Sequence, residues 1–302
     1  MTSVHPVPIA PRTTRISTGS GTIAVHDWGG DGPPVLLAHA TGFHGRIWAP
    51  VAGRLVEARR HVWSFDFRGH GDSDAPEGDD YSWHGFADDA RDVAEHAGIA
   101  GDPSLIAAGH SKGGAALVLG EAARPGTYAR LWLYEPIVLP VDEPLPPMPD
   151  NALARSARRR RNEWHSIEEA FAAYSSKPPL DAMSPESLRA YVDYAFRDRG
   201  DGVLSLKCVP DVEAQVYVMS ASHGAFARLP LVGCPTRVVV GEKTSSIDAS
   251  IGQQLVDRLP NGTLEIMEGC GHFGPQQDPD ATASSITRFA PTSLPHREMS
   301  GG

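Results

Sequence analysis

Ser104-Leu105-Ile106-Ala107-Ala108-Gly109-His110-Ser111-Lys112-Gly113-Gly114-Ala115-Ala116-Leu117-Val118-Leu119 is the stretch that decides the fold. Its first five residues read as a strand, and the run from Gly114 onward reads as a helix. Between them stands Gly109-His110-Ser111-Lys112-Gly113, a G-x-S-x-G pattern. A serine on a sharp strand-to-helix turn needs small neighbours, because the turn is crowded and strained. Such a turn exposes the hydroxyl and leaves it at a helix N-terminus, where backbone N–H groups and the helix dipole favour negative charge. That geometry suits a nucleophile. A glycine-rich turn with an incidental serine is the plainer reading, and the strand before and helix after weigh against it.

Outward from this turn, short apolar runs alternate with helical periodicity. Thr22–Trp28, Val35–Ala38, Val62–Phe65, Leu131–Tyr134, Arg237–Val240 and Thr263–Met267 read as strands. Trp48–Ala58, Trp83–Ala97, Ile251–Leu259 and Pro279–Phe289 read as helices. Strands alternating with helices predict an α/β fold, a mostly parallel sheet covered on both faces. The segment from Pro140 to Pro149 carries five prolines and reads as a linker. Helix-like stretches at Ile167–Ser175 and Pro185–Phe196 follow, without strand alternation. We therefore expect a core domain of residues 1–139 and 228–302 and a helical cap of residues 140–227 over the C-terminal edge of the sheet. The tail from Pro291 is polar and is expected to fray.

The chain has 302 residues and a formal net charge of −10. An acidic chain argues against nucleic-acid or anionic-membrane partners. No apolar run approaches the ~20 residues of a membrane span, and Met1–Arg15 shows no secretory h-region. Three cysteines, Cys208, Cys234 and Cys270, are far apart, which fits packing roles in a reducing cytoplasm. No Walker loop, dinucleotide fingerprint or metal-ligand cluster is present in the sequence, so neither cofactor nor metal is expected. The expected partner is a small-molecule ester or lactone, and the chain is compatible with a homodimer.

A serine hydroxyl needs a base, and the base needs an orienting acid. His272 is the candidate base. It lies in Glu268-Gly269-Cys270-Gly271-His272-Phe273, after the last strand. An oxyanion hole needs two backbone N–H donors. Lys112, the residue after the serine, supplies one; Thr41, in the loop His39-Ala40-Thr41-Gly42-Phe43, is the choice for the other. Only the backbone of Lys112 is required. Arg158-Arg159-Arg160-Arg161 reads as a solvated face rather than an anion site. Trp164, Tyr174, Tyr191, Tyr194 and Phe196 are candidates either for a pocket lining or for core packing.

Four motifs together resemble the α/β-hydrolase fold superfamily, in its cap-bearing esterase and lactonase branch. They are His39-Ala40-Thr41-Gly42, Phe65-Asp66-Phe67-Arg68-Gly69-His70-Gly71-Asp72-Ser73, Gly109-His110-Ser111-Lys112-Gly113 and Gly269-Cys270-Gly271-His272. The resemblance implies an eight-stranded, mostly parallel sheet with a helical cap inserted after strand 6. It gives Asp66 and His70 structural roles in the scaffold. It departs at Ala40, where the family more often has glycine. It also implies an acid within a Gly-x-x-Asp pattern after the seventh strand. Here that stretch is Gly241-Glu242-Lys243-Thr244-Ser245-Ser246-Ile247-Asp248, with Thr244 at the expected place. Two carboxylates compete. Glu135 ends the sixth strand before Pro136, where some similar proteins carry the acid, and is preferred; Asp248 is the alternative, although Asp before a helix also caps for ordinary reasons. The implied activity is that of a serine hydrolase of esters or lactones. Cofactor-free oxygenation, perhydrolysis, C–C bond hydrolysis and binding without turnover stay open as alternatives.

Overall fold

The computed structural model describes residues 10–19, 21–76, 78 and 80–290; the tail from Pro291 lies outside them. Eight strands form one sheet: β1 (Arg12–Thr18), β2 (Gly21–Gly29), β3 (Pro34–Ala38), β4 (His61–Phe65), β5 (Ile106–His110), β6 (Arg130–Tyr134), β10 (Thr236–Gly241) and β11 (Gly262–Met267). Their order is β1-β2-β4-β3-β5-β6-β10-β11. The β1–β2 and β2–β4 pairs are antiparallel, and every pair from β4 to β11 is parallel. This is the expected mostly parallel eight-stranded sheet. β3 and β5 are buried along their whole length, which explains why they appear in the sequence as unbroken apolar runs.

β1 has no counterpart in the sequence reading. It is an edge strand whose only buried residue is Ile16, so it offers neither an apolar run nor a clear alternation. α1 (Ala49–Glu57), α2 (Trp83–His96), α3 (Lys112–Ala123) and α9 (Ala249–Arg258) connect strands of the sheet, and α10 (Gly274–Gln277) and α11 (Pro279–Arg288) follow the last one. Two apolar clusters, one on each side of the sheet, hold these layers together; α2 and α3 pack in one, α1 and α11 in the other.

Between β6 and β10 the chain forms α4 (Ala152–Arg158), α5 (Ile167–Tyr174), α6 (Pro185–Tyr194), α7 (Pro210–Val218) and α8 (Ala225–Arg228). It also forms a small antiparallel sheet, β7 (Glu163–Trp164), β9 (Leu204–Leu206) and β8 (Phe196–Asp198). The segment is therefore mixed rather than purely helical. Strands of two or three residues are too short to show a period of two. No helix among the described residues is long and apolar enough to cross a membrane.

Candidate active site

β5 delivers Ser111 at the N-cap of α3, with φ 53° and ψ −111°. The turn closes only because its neighbours lack side chains. A Cβ on Gly113 would stand 2.3 Å from the Ala38 carbonyl oxygen of β3, and one on Gly109 would stand 2.5 Å from the Gly114 nitrogen. The Ser111 N–H donates to the Tyr134 carbonyl at 2.9 Å, which ties the turn to the end of β6. Thr41, Ser111, His272 and Phe273 each keep part of their surface exposed, while His39, His110, Lys112 and Glu135 around them are buried.

Immediately after β6 comes Glu135, at φ 39°. Its side chain is fully buried. Oε1 accepts the Gly241 N–H at 2.9 Å; Oε2 accepts the Thr244 hydroxyl at 2.8 Å and His272 Nδ1–H at 2.7 Å. Because Nδ1 donates to the carboxylate, neutral His272 carries its free lone pair on Nε2. The structure thus brings Glu135 and His272 together. It does not bring Asp248 to them: Asp248 is exposed at the start of α9, where its Oδ1 accepts the Ile251 N–H at 2.9 Å as a helix cap.

Three contacts fix the loop that carries His272. The Tyr134 hydroxyl donates to the Gly271 carbonyl at 2.6 Å, and the Gly271 N–H donates to Gln277 Oε1 at 2.8 Å. His110 Nε2 lies 2.8 Å from the His272 carbonyl, with the two ring centroids 5.1 Å apart. Burial holds the His110 imidazole well below the usual histidine range, so Nε2 is its donor. The residue before the serine therefore also steadies the candidate base.

The loop bearing Thr41 is braced from below. His39 Nδ1 is 2.7 Å from the Ala40 carbonyl, and its Nε2 accepts the Phe67 N–H at 3.0 Å. Asp66 accepts His26 Nε2 at 3.2 Å and the backbone N–H groups of Gly45 and Asp72 at 2.6 and 2.7 Å. Burial alone would raise the Asp66 pKa, but His26, through its charge and its hydrogen bond, holds it far below the usual carboxylate range. His70 donates Nδ1–H to the Arg68 carbonyl at 2.9 Å, and Arg68 pairs with buried Asp89 at 2.8 Å. These contacts accord with the scaffold roles expected of Asp66 and His70. Among the described residues no group of His, Cys, Asp and Glu is placed to hold a metal.

A family model described as the alpha/beta hydrolase family matches residues 35–285. The chain belongs to the alpha/beta hydrolase family. A lipase of Mycobacterium tuberculosis, LipV, is 29% identical over 88% of this chain and 97% of its own. An uncharacterised protein of the same organism is 25% identical over 95% of this chain and 84% of its own. The solved structure of E-2-(acetamidomethylene)succinate hydrolase matches with a TM-score of 0.77 at 21% identity, covering 92% of this chain and 98% of that one. Such relatives support a serine hydrolase in general terms.

In this alpha/beta hydrolase three further side chains escaped the sequence reading. Thr244 holds the place where the acid was expected, and it hydrogen-bonds the carboxylate that arrives from the neighbouring strand. Of the four consecutive arginines, Arg158, Arg159 and Arg161 are exposed, as expected, but Arg160 turns inward. Its Nη1 meets Glu213 Oε2 at 2.7 Å and its Nη2 reaches the Tyr191 hydroxyl. Glu213 lies against the Thr41 loop, where a Cβ on Gly42 would stand 2.7 Å from its Oε1. Tyr191 also stacks on His44 and touches Phe43, and Tyr194 packs beside His44. Trp164 instead packs with Tyr174 and Phe196. Lys112 is the third, with its side chain fully buried.

Proposed function

We propose that this protein is a serine hydrolase that cleaves a carboxylic ester or lactone through an acyl-enzyme on Ser111. The observation that carries the reading is the 2.7 Å contact between His272 Nδ1 and the buried Glu135 carboxylate. It leaves Nε2 as the basic nitrogen and supports the imidazolium that forms when His272 takes the Ser111 proton. Ser111 Oγ attacks the carbonyl carbon, and the oxyanion is held by the backbone N–H groups of Thr41 and Lys112. His272 then gives the proton to the departing alcohol. A water molecule, deprotonated by the same nitrogen, releases the acid and restores Ser111. In a lactone the leaving alcohol stays tethered to the acyl group.

Glu135 is the orienting acid in this account, and Asp248 has no part in it. The contact of Glu135 with His272 favours turnover over binding alone. We take residues 140–227 as the cap, whose Arg160–Glu213–Tyr191 contacts overlie the Thr41 loop. The mechanism asks for no cofactor. A panel of p-nitrophenyl esters and aliphatic lactones of increasing size tests the reading, assayed beside Ser111→Ala. Turnover of at least one substrate, lost by 10³-fold or more in Ser111→Ala, is expected. Turnover that survives in Ser111→Ala, or oxygen consumption without ester cleavage, would contradict it.

A further inference from the structure

That mechanism leaves the Lys112 side chain without a task, although keeping it where it is costs the protein stability. It begins α3, in which every residue from Lys112 to Ala122 is buried. Its Nζ lies 3.2 Å from His70 Nε2. Since His70 Nδ1–H is committed to the Arg68 carbonyl, Nε2 can only accept, and the lysine is the donor. Nζ also stands 4.3 Å from the Phe67 ring centre and 4.6 Å from that of Phe86. Among the described residues it has no carboxylate within ion-pair distance. The acids nearest in charge are already taken: Asp89 by Arg68, and Asp66 by His26 and two backbone N–H groups.

Three effects therefore oppose this cation. It is desolvated, it lacks a counter-ion, and it sits at the helix end where the dipole repels positive charge. A leucine or methionine would pack there without those penalties. What the lysine supplies instead is positive charge behind the residue whose own N–H is the proposed oxyanion donor. Four methylenes span about 6 Å at most, and with the N–Cα bond and one hydrogen bond added the ammonium stays within about 10 Å of the atom that becomes negative. The space between is protein interior, where a charge acts more strongly than through water.

Resting on the Ser111 reading, we propose that Lys112 is a positioning residue whose buried ammonium, held by His70, Phe67 and Phe86, biases the Ser111 turn toward the tetrahedral oxyanion. No bond to the lysine forms, and its proton stays on Nζ throughout; the Ser111 proton still goes to His272. The charged and titratable groups facing Nζ are His70 and Arg68 from the turn after β4, His39 and Asp66 beneath the Thr41 loop, Asp89 from α2, and Cys208 from the segment between β6 and β10. Burial and the lysine's own charge keep His39 and His70 neutral. Burial brings the lysine down to about 7, against the upward pull of Cys208, Asp89 and Asp66. Its charge is present below that pH and lost above it. On this account kcat carries an alkaline limb near pH 7.

Lys112→Met, which keeps length and removes charge, tests this with p-nitrophenyl acetate between pH 5.5 and 10. At pH 6 the expected result is a kcat lower by about 10- to 30-fold, KM within about twofold, and no alkaline limb near pH 7. Stability gives a second readout. With a folded-state pKa below the unfolded one, the unfolded chain binds more protons between about 7 and 10.4, so wild-type stability rises with pH across that window and the variant's does not. Wild-type kcat at pH 6 in Lys112→Met, or a retained alkaline limb, overturns the proposal. So does a wild-type profile flat from pH 6.5 to 8, which needs no variant at all. Activity that survives Ser111→Ala would instead sink the hydrolase reading, so the two failures are distinguishable.

Discussion

Glu135 holds a left-handed backbone conformation, φ 39°, that costs a non-glycine residue about 1 kcal/mol or more. Only Arg59 and Ser111 share a positive φ among the described non-glycine residues. The strain is held because the carboxylate it aims meets three donors at once: the Gly241 N–H, the Thr244 hydroxyl and His272. Glu135→Gln keeps the shape but turns an amide NH₂ toward Nδ1. We expect kcat to fall by about 10³- to 10⁴-fold on an ester that the wild-type enzyme turns over. Thr244→Val removes one hydrogen bond to a charged group, worth about 1.5 kcal/mol, and should lower kcat by about tenfold. Asp248→Asn should leave kcat unchanged, because that side chain caps α9 in solvent. Steady-state kinetics of the three variants, run side by side, check these expectations.

At the scale of elements, the site depends on how closely β3, β5 and α3 approach one another. Gly113→Ala would drive a methyl group into the Ala38 carbonyl at 2.3 Å. We expect at least about 3 kcal/mol of destabilisation in urea unfolding, against which a folded midpoint close to wild type would count. That Glu135 comes from the end of β6 while Thr244 follows β10 is also settled at this scale. β6 and β10 are parallel neighbours with Tyr134 opposite Val239, so the chain leaving either strand reaches the same point over His272. Much of this was legible in the sequence because it rests on short buried strands and on glycines the turns require. The unbroken runs of β3 and β5 and the Gly109–Gly113 turn announce themselves. β1 did not, since an edge strand with one inward side chain leaves no pattern. The small β7–β9–β8 sheet was hidden by its length, and the inward turn of Arg160 by exposed arginines on both sides of it. Glu135 and Asp248 could be separated only in space, because both spacings are permitted along the chain.

At the scale of the whole molecule, the scaffold beneath the site is built from neutral, buried imidazoles. Burial, first of all, holds His39, His44, His70 and His110 below the usual histidine range, His44 to about 4. Because these groups have depressed folded-state pKa values, the unfolded chain takes up more protons below about 6.5, and stability falls as pH falls through that value. Asp66 acts in the same direction further down: its native carboxylate stays ionised while that of the unfolded chain takes up a proton as pH drops below about 4. The unfolding free energy should therefore decline from pH 7 to pH 5 by up to about 1 kcal/mol per buried imidazole per pH unit, and the urea midpoint should fall with it. A midpoint independent of pH across that range would contradict this account of the scaffold. The same scaffold holds His272 against Glu135 and carries Ser111 on the neighbouring turn after β5, and on our reading the three act together. The rate at which a fluorophosphonate labels the protein tests that meeting most directly. The account predicts one adduct per chain, on Ser111, formed about 10³-fold more slowly in Glu135→Gln and at the wild-type rate in Asp248→Asn. No adduct on Ser111, or equal rates in wild type and Glu135→Gln, would contradict it.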